Sequence, residues 1–260
     1  MSDFTFNPTQ YDFNLVNALG CACASLLAYE NETVGEQTAN EWGFNRFEPF
    51  SRNQHFGIVI GNDKMILIAF RGTNERADWW SNLDILFRRS ALGWVHRGFM
   101  KATELFWPQL PQKISEFYDN NQTIWITGHS LGGALALLAS VKLLIENKFK
   151  ISGIYTFGQP PVGTSGFCSK FKKHFPKNLY RFVNHTDAVS DLPILFLRHV
   201  GEIRYFDTSG SLWGGKPPWK VNFLDQIRAP ARFSGLSQFT AHSMKNYVEL
   251  IEKQISDRNK

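Results

Sequence analysis

Gly128-His129-Ser130-Leu131-Gly132 sets a serine between two glycines, each two residues away. Ahead of it, Thr123-Ile124-Trp125-Ile126-Thr127 reads as a strand, and behind it the alanine- and leucine-rich run Leu131 to Glu146 reads as a helix. A strand-to-helix turn this sharp strains the backbone at the serine and projects its hydroxyl, while the glycines leave room for the neighbouring elements. A serine hydroxyl is a weak nucleophile at neutral pH, so it needs a base within hydrogen-bond reach and a carboxylate to orient that base. After such a turn the partners follow in the order acid, then histidine. Asp187 lies just beyond the strand-like run Leu179 to Val183, and His242 lies in a turn that opens the final helix. Asp191, further along the same loop, is the competing acid, and Asp187 is preferred because it is nearer the strand end. His129 points away, since adjacent residues on a turn cannot both face one pocket. His96, His174, His185 and His199 remain possible bases, but none follows the acid on a separate loop as His242 does.

The chemistry implied is acyl transfer through a covalent acyl-enzyme, which requires no metal or organic cofactor. A tetrahedral intermediate needs two donors for its oxyanion. One is the backbone N–H of Leu131, and the second is expected where the strand Met65 to Phe70 runs into Arg71-Gly72-Thr73, with Thr73 offering both N–H and hydroxyl. From Asn74 to Phe87, Trp79, Trp80, Leu83, Leu86 and Phe87 share one arc of a helical wheel, with Asp78, Ser81, Asn82 and Asp84 outside it. An amphipathic helix that begins beside an oxyanion donor and carries adjacent tryptophans suits a mobile lid, spanning about 74–90, that an apolar surface opens.

The elements that must position these residues alternate. Phe56 to Ile60 and Met65 to Phe70, separated by Gly61-Asn62-Asp63, read as a hairpin. Then come a helix from about Lys101 to Tyr118, the strand and helix around Ser130, a strand Gly153 to Phe157, a helix around Phe167 to His174 and the strand Leu179 to Val183. A last strand Glu202 to Phe206 and a terminal helix from about Ser243 to Ile255 complete the order, behind a packed N-terminal helix in Leu15 to Tyr29. This predicts one α/β domain over residues 1–260, with a mostly parallel, helix-covered sheet and the chemistry at the carboxyl ends of its strands. The excursion Ser209 to Thr240 and the stretch Leu192 to Val200 read equally as a second flap, an acyl-chain wall or core.

The charge balance, 28 Lys and Arg against 23 Asp and Glu, gives +5, far from the excess a nucleic-acid binder carries. The basic, aromatic-interleaved run Lys170 to Lys177 reads as a solvated helix face. Three cysteines, Cys21, Cys23 and Cys168, form no metal-ligand spacing and no disulfide framework, which fits a reducing compartment. The apolar run from Leu15 lacks the basic start of an export signal, and no stretch is long enough to span a membrane. The expectation is a cytoplasmic protein, or one exported without a cleavable signal, that associates transiently with lipid surfaces.

Several segments together resemble the class 3 lipases, the fungal-type triacylglycerol lipases of the α/β-hydrolase fold. They are Ala69-Phe70-Arg71-Gly72-Thr73, Asp78-Trp79-Trp80, Val95-His96-Arg97-Gly98-Phe99, the Ser130 turn, Thr156-Phe157-Gly158-Gln159-Pro160 with Val162-Gly163, Val183-Asn184 through Asp187, and His242-Ser243-Met244 with Tyr247. The resemblance implies Ser130 as nucleophile, Asp187 as acid, His242 as base, Thr73 and Leu131 as oxyanion donors and Ala77 to Phe87 as lid. It also implies an acylglycerol ester at an oil or membrane interface as substrate. A phospholipase A1 or galactolipase with the same triad, or a catalytically silent lipid-binding scaffold, are the alternatives. The chain departs from the family at Pro161, where arginine is common, at Ala188, where proline is common, and in lacking the disulfides of secreted members.

Overall fold

Ile66, Ile68 and Phe70 turn to one side of their strand, Met65, Leu67 and Ala69 to the other, and both sets are buried. A strand apolar on both faces belongs inside a sheet covered twice. The computed structural model builds that arrangement; it describes residues 4–73, 86–107, 109–119, 121–175, 178–185, 187, 196–215 and 242–258. The main sheet has eight strands, β1 (Arg46–Arg52), β2 (His55–Gly61), β3 (Met65–Phe70), β6 (Thr123–His129), β7 (Ile151–Phe157), β8 (Leu179–Asn184), β9 (Glu202–Phe206) and β10 (Leu212–Gly214), neighbours in that order. β3, β6, β7, β8 and β9 run parallel, and antiparallel strands extend the sheet at both edges. A separate hairpin joins β4 (Phe87–Ser90) to β5 (Gly93–His96).

Seven helices among the described residues cover the two faces. α3 (Arg97–Glu104), α4 (Gln109–Phe117), α5 (Leu131–Ile145) and α6 (Ser165–His174) pack over Ile66, Ile68, Phe70, Ile124 and Ile126. α1 (Leu15–Leu27), α2 (Glu32–Glu41) and α7 (Met244–Arg258) lie over Met65, Leu67, Ala69, Trp125, Tyr155 and Phe157. α5 is apolar on nearly every side up to Lys142 in its last turn, as a helix packed into a core is, and Leu135, Leu137 and Leu138 are each within 1% of full burial. Truncating one of them to alanine should cost about 2–5 kcal/mol. α1 starts where Asn14 accepts the N–H groups of Val16 and Asn17, at 2.7 and 3.2 Å, the side-chain cap that an asparagine supplies. None of the described helices is long and apolar enough to cross a membrane.

The α/β alternation is thus as the sequence predicts, with three differences. The helix expected over 101–118 is two helices, α3 and α4, broken after Glu104 ahead of Pro108, a residue type that restricts the backbone before it. The helix expected to run to Phe87 lies outside the described residues up to 85, and Phe87 itself is not helical. Phe87 begins β4 and pairs with His96, in a hairpin closed by Gly93 at φ +140° and by the Ser90 hydroxyl donating to Gly93 O at 2.8 Å. The strands β1 and β10 and the helix α2 are additional. Of the excursion after Ser209, residues up to Gly215 form a turn and β10; the rest, and residues 188–195, lie outside the described residues.

Candidate active site

Ser130 stands between the end of β6 and the first residue of α5 with φ +56° and ψ −126°, a conformation that costs an L-residue energy and persists because its surroundings enforce it. Its N–H donates to Phe157 O of β7 at 2.9 Å, which fixes the turn against the sheet. Leu131 opens α5, so the positive end of that helix faces the turn. Thr73 follows β3 and is buried at 7% exposure; the neighbouring Gly72 presses so closely on the turn that a Cβ there would stand 3.0 Å from Ser130 Cβ.

The structure joins His242 to Asp187. His242 Nδ1 lies 2.8 and 2.7 Å from Asp187 Oδ1 and Oδ2, and both residues are buried. A carboxylate only accepts, so Nδ1 carries the proton and the neutral ring keeps Nε2 as an acceptor. The carboxylate has further support. Tyr247 Oη on α7 donates to Asp187 Oδ2 at 2.6 Å and accepts the Asn184 N–H at 3.0 Å, while Asp187 N–H donates to Asn184 O at 2.8 Å. Burial, then the Asp187 charge, pushes the Tyr247 phenol well above its ordinary range, so it remains a donor. Gly158, at φ +57° after β7, is the floor of the pair: a Cβ there would meet Asp187 Oδ2 at 2.5 Å and His242 Nδ1 at 2.8 Å. The two atoms that would exchange a proton in catalysis, Ser130 Oγ and His242 Nε2, are both buried and have no hydrogen-bond partner among the described residues.

The competing histidines have other places. His129 lies behind the turn, with Nδ1 2.7 Å from Tyr29 Oη and Nε2 2.6 Å from His242 O. His96 caps α3 by accepting the Phe99 N–H, and His174 ends α6. Asp191, Trp79, Trp80 and Leu83 lie outside the described residues. Leu86, just ahead of β4, is 49% exposed. The sequence places His129 away from the pocket, Tyr29 at the end of the N-terminal helix and Tyr247 in a motif, but gives none of the contacts that they make.

The sequence matches the family Lipase (class 3) over residues 67–197, half of the chain. The chain belongs to the class 3 lipase family. Among its relatives is triacylglycerol lipase OBL1 of Ricinus communis, 30% identical over 258 residues that cover 72% of this chain and 49% of the relative. Phospholipase A1-IIalpha of Arabidopsis thaliana is 23% identical over 183 residues, covering 57% of this chain and 43% of the relative. The chain therefore spans about half the length of the curated relatives it matches. In structure it is similar to the Rhizomucor miehei lipase of a native propeptide complex, with a TM-score of 0.66 at 22% identity over 79% of this chain and 75% of that one. At that identity the likeness is one of fold, and the fold is the α/β-hydrolase fold of fungal lipases.

Proposed function

We propose that this class 3 lipase is a carboxylic ester hydrolase that cleaves acylglycerols through an acyl-enzyme on Ser130. What supports the reading is the buried Asp187–His242 pair, in a chain whose Ser130 is held at positive φ between strand and helix. In this scheme Ser130 Oγ attacks the ester carbonyl as its proton passes to His242 Nε2, and Asp187 stabilises the imidazolium through Nδ1. The intermediate's oxyanion draws on the Leu131 N–H and on Thr73, beside the positive end of α5. Collapse expels the alcohol, which takes the proton from His242, and water repeats the sequence in reverse to release the acid. The lid expected over about 74–90 lies, up to residue 85, outside the described residues.

Relatives named phospholipase A1 keep a second reading open, in which the scissile ester belongs to a phospholipid. The test is the hydrolysis rate of a short-chain triacylglycerol as its concentration crosses the solubility limit, with Ser130→Ala as blank and phosphatidylcholine and galactolipid in parallel. A rate that jumps at the limit supports a lid-gated lipase. A preference for phosphatidylcholine or galactolipid transfers the assignment to that ester, and a rate equal to the blank on all three, with no labelling of Ser130 by an organophosphonate, leaves a silent scaffold.

A further inference from the structure

His129 and Tyr29 belong to no step of the scheme above, yet they connect two of its parts. The His242 carbonyl can only accept, so His129 Nε2, 2.6 Å away, carries the ring proton. In the neutral ring Nδ1 then accepts, and Tyr29 Oη, at 2.7 Å, is its donor. The same phenol oxygen accepts the Gly72 N–H at 3.0 Å. The result is a chain with one direction: Gly72 N–H to Tyr29 O–H to His129, and His129 N–H to His242 O. One end holds the N–H of Gly72, the residue before Thr73, the other the carbonyl of His242, and the middle is covalently joined to Ser130. The packing matches, because a Cβ on Gly72 would lie 2.5 Å from Tyr29 Oη, 2.9 Å from His129 O and 3.0 Å from Ser130 Cβ, and the His129 and His242 rings are 4.6 Å apart between centroids.

His242 needs such a hold. It lies in a turn two residues ahead of α7, where no strand ladder fixes it. Tyr29 comes from the end of α1, where its N–H donates to Leu26 O at 3.0 Å, so the tie is anchored in the buried layer that also contains α7. We infer that Tyr29 and His129 are positioning residues that set the base and the oxyanion loop at a fixed separation around Ser130. This rests on the proposed ester hydrolysis.

The test uses the whole chain with Tyr29→Phe, His129→Phe and His129→Gln, the last placing an amide N–H where the imidazole Nε2–H stood. On a soluble p-nitrophenyl ester, kcat should fall about tenfold in Tyr29→Phe and about a hundredfold in His129→Phe with KM little changed, since misplacing a catalytic group acts on the chemical step. His129→Gln should recover most of the loss. Folded Tyr29→Phe and His129→Phe proteins with wild-type kcat would overturn the inference, as would equal losses in His129→Phe and His129→Gln. The imidazole N–H resonance of His242 gives a readout that needs no substrate. A shifted or broadened resonance in Tyr29→Phe supports the tie even if wild-type protein shows no Ser130-dependent hydrolysis, and an unchanged one in both phenylalanine variants overturns it.

Discussion

Tyr247→Phe isolates one oxygen atom with two duties. The ring is fully buried and packs near Phe157, 5.8 Å between centroids, so the substitution opens no cavity beyond the hydroxyl itself. What disappears is a 2.6 Å donation to the Asp187 carboxylate and a 3.0 Å acceptance from the Asn184 N–H. A hydrogen bond to a charged group contributes about 1.5–3 kcal/mol, and a buried donor deprived of its acceptor costs about 1–3 kcal/mol. Taking about 3 kcal/mol for both, the melting temperature should fall by roughly 6–12 °C for a chain of this size. The effect on turnover should be smaller than these bonds suggest. Asp187 keeps both contacts to His242 Nδ1, so the proposed base retains its tautomer and loses only some of its fixed orientation. We expect kcat to fall about tenfold, or 1.4 kcal/mol of barrier, against about ten-thousandfold for Asp187→Asn, which reverses the tautomer. The assay is kcat on a soluble ester for wild type, both single variants and the double variant, with thermal melts of each. If Tyr247 acts through the carboxylate, adding Tyr247→Phe to Asp187→Asn should cost less than about twofold more. A tenfold loss persisting in the Asp187→Asn background, or a Tyr247→Phe protein with wild-type melting and turnover, would refute the reasoning.

Gly158→Ala should be more damaging than its size suggests. The new methyl would meet Asp187 Oδ2 at 2.5 Å and His242 Cε1 at 2.8 Å from a backbone at φ +57°, so kcat should drop about a hundredfold or more while circular dichroism stays native; a Gly158→Ala protein with wild-type kcat would contradict the placement of the pair. Alkaline pH should weaken the fold. Burial pushes the Cys168 thiol from 9.0 to about 11 and the Tyr180 phenol from 10.0 to about 12, with Tyr247 also raised. Groups with raised folded values hold protons that the unfolded chain gives up, so their contribution is full below about pH 9 and is lost as pH rises toward about 12. The urea midpoint should therefore decline across that window; a flat midpoint from pH 8 upward would show that these groups titrate alike in both states.

Local chemistry made part of this legible in the sequence. The Ser130 turn announces itself within five residues, β3 declares burial by being apolar throughout, and α5 by being apolar for most of its length. β1 escaped notice because Arg-Phe-Glu-Pro-Phe-Ser-Arg does not alternate cleanly, and the edge position that tolerates Pro49 is a property of the sheet. α2, with Ala39 as its buried apolar residue, depends on its Asn31 cap, whose side chain accepts the Val34 N–H at 3.0 Å. Asp187 and His242 were reachable through chain order, which encodes the topology. The Tyr29–His129–His242 chain was not, because it joins residues about a hundred positions apart through side-chain geometry that leaves no spacing signature.

The distribution of ties around the site follows from how each residue is carried. At the carboxyl ends of the parallel strands, backbone bonds run on beyond the ladders: Ser130 N–H to Phe157 O at 2.9 Å, Gly158 N–H to Phe182 O at 3.0 Å and His185 N–H to Phe206 O at 2.9 Å. Ser130 and the segment bearing Asp187 are thus positioned by the sheet itself, whose registry cannot slip by less than a residue. His242 arrives from a helix on one face and has no such registry. Its position must come from side chains, and the structure supplies them on two sides: Asp187, braced by Tyr247, on the ring, and His129, braced by Tyr29, on the backbone carbonyl. Activity should accordingly be more sensitive to these four side chains than to conservative changes within the strands that hold Ser130, although the strands contribute more to stability.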